Sequence, residues 1–194
     1  MKVAVITAGT GSPSSTKLLG DRLGEALLEQ TDAELIKIDL REYARDLAGH
    51  LVTHVPTPEL DQAMADVAGA DAVIAVSPIF NGSYHGLFKM FFDALELGTL
   101  KDTPTLLAAT GGSARHSLAI QNSMLPLFYY LGARVTPTAV FAASADWGDA
   151  SSELPGRIRR AAGELAQLVD HEPIRERRDE FADVTPFEEL LRRA

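Results

Sequence analysis

A chain of 194 residues that is 46% hydrophobic and 23% charged has a globular composition and is long enough to bury one substantial core. A formal net charge of −9 argues against a nucleic-acid surface, which needs clustered Lys and Arg. The chain has no cysteine and only scattered histidines, which excludes disulfides, thiolate zinc sites and thiol nucleophiles, and no metal site is expected. The opening run Met1-Lys2-Val3-Ala4-Val5-Ile6 is too short for a signal segment, and no stretch reaches membrane-spanning length. The expectation is a cytoplasmic protein with neither a membrane nor a nucleic acid as partner.

Short apolar runs recur between longer helical patterns, the signature of a parallel sheet buried on both faces. Val3 to Thr7 is the first strand. The polar segment from Ala8 to Thr16 follows, and then Leu19, Leu23, Ala26 and Leu27 recur on one helical face. Leu35 to Leu40 reads as a second strand, and Arg41 to Val55 as a less regular stretch. Thr57 caps a helix whose first turn suits Pro58, with Leu60, Met64 and Val67 as its apolar face.

Ala72 to Ser77 is the clearest central strand. The loop Pro78-Ile79-Phe80-Asn81-Gly82-Ser83 follows it, and then a helix through Phe88, Phe91, Phe92 and Leu95. Thr105 to Ala109 leads through Thr110-Gly111-Gly112-Ser113 into a helix from about Leu118 to Tyr130. Val135 to Ala142 is a fifth strand, which Pro137 confines to an edge or a bulge, and Ile158 to Val169 is the last long helix. Five such units fit an α/β fold with a doubly wound five-stranded parallel sheet in the order 2-1-3-4-5.

Residues 1–170 read as one domain and 171–194 as a charged extension. In that extension Thr185-Pro186-Phe187-Glu188 offers a capping box for a short helix. Phe181, Phe187, Leu190 and Leu191 make the extension either a solvated end or an arm that packs on another subunit.

In an open parallel sheet, ligands bind beyond the C-terminal ends of the strands, where chain order reverses, and three unusual loops gather there. The first places Thr10, Ser12, Ser14, Ser15 and Thr16 before a helix, whose free N–H groups and dipole favour an anion such as a phosphate monoester. An ordinary polar N-cap is the plain alternative. A P-loop is absent, and Ser14 stands where a dinucleotide fingerprint starting at Gly9 and Gly11 needs its third glycine.

In the second loop, the compact Asn81, Gly82 and Ser83 beside Pro78, Ile79 and Phe80 let the backbone approach a flat ligand, although the same residues also make a plain turn. The third loop, Thr110, Gly111, Gly112 and Ser113, again exposes backbone near a strand end. Arg115 and His116 beside it are either ligand contacts or solvated.

Thr7-Ala8-Gly9 with Ser12-Pro13-Ser14-Ser15-Thr16-Lys17-Leu18-Leu19, then Ser77 through Lys89, then Thr110 to Ser113, together resemble the NADPH-dependent FMN reductase family, in particular its actinobacterial branch. The resemblance covers roughly the first 170 residues. It departs from many relatives in having no Arg in the first loop and in placing Phe80 where they carry Tyr.

The resemblance implies a flavodoxin-like fold with FMN phosphate at the first loop, the isoalloxazine edge on Pro78 to Ser83, and the third loop closing on the ring. It also implies hydride transfer from NADPH, or NADH, to FMN with no obligatory catalytic side chain, and reduced flavin supplied to a partner monooxygenase. An FMN-retaining quinone, azo-dye or chromate reductase and a flavodoxin-like electron carrier are the alternatives. A homodimer or homotetramer is expected, with Phe88, Phe91 and Phe92 as either interface or core residues.

Overall fold

The structure, a computed structural model, describes residues 1–148 and 151–170. The expected capping box at Thr185 and the arm-like extension therefore lie outside the described residues. Within them, β1 (Lys2–Thr7), α1 (Ser15–Leu28), β2 (Glu34–Asp39), α2 (Ala44–Thr53), α3 (Pro58–Gly69) and β3 (Ala72–Phe80) run in order. They are followed by β4 (Ser83–Tyr84), α4 (Gly86–Ala94), β5 (Pro104–Gly111), α5 (Leu125–Tyr130), β6 (Arg134–Val135), β7 (Val140–Ala143) and α6 (Leu154–Asp170).

The sheet runs β2-β1-β3-β5, with β6 and then β7 sharing the far edge of β5, all in parallel. This is the flavodoxin-like doubly wound arrangement, with order reversing at β1. Alternation along the strands sorts the core into two layers. Val3 and Val5 of β1 pack with Leu19, Leu23 and Leu27 of α1 and with Ile158, Ala162 and Leu165 of α6. Ala4 and Ile6 point the other way, toward Leu47, Leu60, Phe88, Phe92 and Phe128 from α2 to α5. Each fully buried side chain of this size is worth roughly 1.5–3 kcal/mol.

Phe88, Phe91 and Phe92 are at most 2% exposed and pack with one another and with Phe128, so of the two alternatives, interface or core, they belong to the core. Helical phasing cannot tell a core stripe from an interface stripe. Here α4 lies under α2 and α5, which leaves its apolar face no route to the surface.

The irregular stretch from Arg41 contains a helix, α2, which buries only Leu47 and ends at His54 in the left-handed region (φ 57°). With one anchoring residue, its periodicity is weak in the sequence.

The fifth strand is split. The ladder on β5 stops after Val135 and resumes at Val140, around Pro137, which has no N–H to give. Glu164 of α6 closes the gap by accepting from the Thr138 backbone N–H at 2.6 Å and its hydroxyl at 2.7 Å. Burial raises the carboxyl pKa, but the Thr138 hydrogen bonds and the neighbouring Arg160 outweigh it and hold the pKa below its ordinary value.

A carboxyl held low in the fold stabilises above its unfolded pKa, and that stabilisation is lost as pH falls through the folded value. Glu164→Ala is therefore expected to destabilise the fold by about 1–3 kcal/mol at neutral pH. The loss should narrow toward pH values below the ordinary 4.5 of the carboxyl, as checked by urea unfolding at several pH values.

Candidate functional site

The parallel register β1-β3-β5 brings the three expected loops to one edge. Thr7 is level with Val76, and Pro78 is level with Thr110. The Ala8 N–H still donates to Val76 O at 3.0 Å, so the first loop departs from the sheet against β3.

Ser14 caps α1 from extended backbone by accepting the Lys17 N–H at 3.2 Å, which leaves the N–H groups of Ser15 and Thr16 without helical acceptors. Thr10, Ser12 and Ser15 are exposed, and Ser14 is half-buried. Gly9 has a steric reason to be glycine, because a Cβ there would lie 2.1 Å from Ser14 Oγ and destroy the cap.

Thr16 is different from its neighbours. It is 2% exposed, and its hydroxyl meets that of Thr110, itself 3% exposed, at 2.8 Å. Of the five hydroxyls expected in the first loop, this one fastens the first segment to the third.

The second segment is not a loop from Pro78 onward. β3 continues through Pro78, Ile79 and Phe80 and returns at once as β4, with Phe80 level with Ser83. Asn81 (φ 51°) and Gly82 (φ 84°) make the two-residue turn, a pair of left-handed positions that Asn-Gly adopts readily. The expected loop is thus corrected to a hairpin projecting from the sheet edge. Ile79 belongs to the core, whereas Phe80 is 52% exposed. A Cβ added at Gly82 would meet nothing within 4 Å, so the tip borders open space.

The base of the hairpin is tied to α4. The His85 N–H donates to Ser77 Oγ at 2.9 Å, and Ser77 Oγ donates to Pro78 O at 3.0 Å. The His85 imidazole caps α4 by accepting the Leu87 N–H at Nδ1, and its ring meets Phe80 edge-on at 5.3 Å. The sequence signal for this role of His85 is its place directly before an apolar helix, the position of a cap.

In the third segment Thr110 and Gly111 end β5. A Cβ on Gly111 would press on the Phe141 ring at 2.9 Å, whereas one on Gly112 would meet nothing within 4 Å. Ser113 caps a short 3₁₀ turn, Ala114–His116, by accepting the Arg115 N–H, and both Arg115 and His116 are exposed. A π-helical turn, Ile120–Met124, replaces the first part of the expected regular helix and packs behind β4. Such turns are frequent near functional sites.

The donor set suits FMN: hydroxyls and free helix N–H groups for the phosphate, and backbone beside open space at Gly82 and Gly112 for a flat ring.

Two outcomes follow from this geometry. Thr16→Val leaves the Thr110 hydroxyl unpaired in the interior and is expected to cost about 1–3 kcal/mol in denaturant unfolding, with part recovered in the Thr16→Val/Thr110→Val double variant. Burial lowers the His85 pKa from its ordinary 6.5, so the neutral imidazole that caps α4 contributes stability above that value. That contribution is lost as pH falls through the folded value, and His85→Gln should flatten the melting-temperature profile below pH 6.5.

Comparison with known proteins agrees with the geometry. Over 171 residues the chain is 38% identical to the NADH-dependent FMN reductase SfnF of Pseudomonas fluorescens, covering 87% of this chain and 91% of the relative. A crystal structure of an oxidoreductase from Corynebacterium diphtheriae superposes with a TM-score of 0.84 at 41% identity, covering 89% of this chain and 98% of that one. A flavodoxin from the domain Archaea shares the fold at a TM-score of 0.62 and 13% identity, covering 88% of this chain and 100% of that one. Residues 1–148 match the family model described as NADPH-dependent FMN reductase, and the chain belongs to that family.

Proposed function

We propose that this FMN reductase seats FMN across the three segments, with the phosphate at Thr10, Ser12, Ser14, Ser15 and Thr16. The ring edge then lies on Pro78 to Ser83, and Thr110 to Ser113 lies alongside. The observation that supports the reading is convergence: the Thr16–Thr110 hydroxyl contact and the level pairing of Pro78 with Thr110 bring the three segments together at one edge of the sheet.

The chemistry that bound FMN supplies is acceptance of hydride from the reduced nicotinamide, NADPH or NADH. The rest is positioning by the chain. The Ser15 and Thr16 N–H groups and the exposed hydroxyls of Thr10, Ser12 and Ser15 would donate to phosphate oxygens, and the α1 dipole favours a dianion. The Asn81-Gly82 turn would present backbone donors and acceptors to the polar edge of the ring and help hold it for the nicotinamide. No nucleophile or general acid is assigned.

The open space beside Gly82 and Gly112 supports FMN that exchanges with solution, and the reading extends to a cytoplasmic reductase that delivers reduced flavin to a partner monooxygenase. On the helical segment from 118 to 130, Leu118, Tyr129 and Tyr130 are 59%, 63% and 80% exposed, which fits a homodimer or homotetramer contact. Among the described residues no helix is long and apolar enough to cross a membrane.

Gly112→Val and Ser15→Tyr add bulk at positions where the fold has room, so each should leave the melting temperature unchanged and weaken FMN about tenfold, equivalent to about 1.4 kcal/mol. Flavin fluorescence titration alongside FMN-dependent oxidation of NADPH and NADH checks this. Unchanged FMN affinity in both variants would overturn the seating.

A further inference from the structure

A phosphate monoester carries close to two negative charges at neutral pH, and the chain that must hold it has a net charge of −9. No residue from Gly9 to Thr16 is charged. Among the described residues, Lys17 and Arg41 are bonded to this loop or to its flank, and they are placed differently. Lys17, in the first turn of α1, pairs with Asp39 Oδ2 at 3.4 Å.

Arg41 follows β2. Thr7 and Asp39 are level in the sheet, and the Leu40 N–H donates to Thr7 O at 2.9 Å, so the chain leaving β2 runs beside the loop leaving β1. The Arg41 backbone N–H donates to Asp39 Oδ1 at 3.2 Å, and its guanidinium Nη1 donates to Gly11 O at 3.4 Å. This is the guanidinium's one hydrogen bond to protein among the described residues, and the side chain is otherwise exposed. A guanidinium has five N–H donors in a planar fork that matches phosphate oxygens. Asp39, the carboxylate bonded to both groups among the described residues, is partly neutralised by Lys17 and by the Arg41 N–H.

We propose that Arg41, delivered from the β2–α2 connection, is the cation of the phosphate subsite: it braces the first loop through the Gly11 carbonyl and offers its remaining donors to the phosphate of FMN. This rests on the phosphate placement proposed above. The loop supplies neutral donors and Arg41 supplies the charge, so FMN is preferred over riboflavin, which differs only in lacking the phosphate.

The test is fluorescence titration of FMN and of riboflavin at several salt concentrations with the wild type and with Arg41→Ala, Arg41→Gln and Arg41→Lys, each first checked by thermal unfolding. Gln keeps a neutral donor but is two bonds shorter than Arg, so it is the comparison of FMN with riboflavin that separates loop bracing from electrostatics. Arg41→Ala and Arg41→Gln are expected to weaken FMN roughly tenfold to a hundredfold, flatten its salt dependence and leave riboflavin unchanged. Arg41→Lys should retain the salt dependence and fall between.

If FMN affinity and its salt dependence in Arg41→Gln equal those of the wild type while the wild type still prefers FMN, Arg41 has no such role and the phosphate placement stands. Equal weakening of riboflavin would assign Arg41 to loop structure alone and overturn the proposal. A wild type that binds FMN and riboflavin alike would overturn the phosphate placement itself.

Discussion

The reversal of strand order at β1 governs the functional edge. The connection from β1 moves outward to β2 through α1 on one face, whereas the connection from β3 moves the opposite way to β5 through α4 on the other. Two neighbouring parallel strands whose chains part to opposite faces leave a crevice between their C-terminal ends. The Ala8–Val76 hydrogen bond and the buried Thr16–Thr110 hydroxyl pair tie the first segment to β3 and to the end of β5. Everything ascribed to the site depends on this one divergence.

The walls differ in kind, and their differences suit the parts of one ligand. The first is a helix start, rich in unpaired donors and fitted to an anion. The second is a two-residue hairpin whose backbone is held by its own turn and, through Ser77 and His85, by the start of α4. The third is the end of a central strand with a bare glycine beside open space. On the proposed seating an acidic chain would hold a dianion here through local donors and the Arg41 guanidinium, while the net charge acts over longer range and is screened by salt.

Much of this was legible in the sequence. Buried parallel strands appear as short apolar runs, so β1, β3 and β5 were placed within a few residues, and the Thr57 cap of α3 was identified from residue type alone. The exceptions have physical causes. Only Leu47 anchors α2, which makes its period faint, and Pro137 interrupts a strand whose halves still dock on β5 because Glu164 satisfies Thr138 from across the layer. At Asn81-Gly82, propensity marks a turn without showing that the strands on either side pair. Contacts between distant segments, such as Thr16 with Thr110 or Arg41 with Gly11, leave no local trace in the chain.

A crystal structure of the protein with FMN bound is the most direct test of the central claim. The account predicts the phosphate within hydrogen-bonding distance of the Ser12 to Thr16 segment and the ring edge against the Asn81-Gly82 turn. A phosphate seated elsewhere, in crystals of protein that still oxidises reduced nicotinamide with FMN, would contradict it.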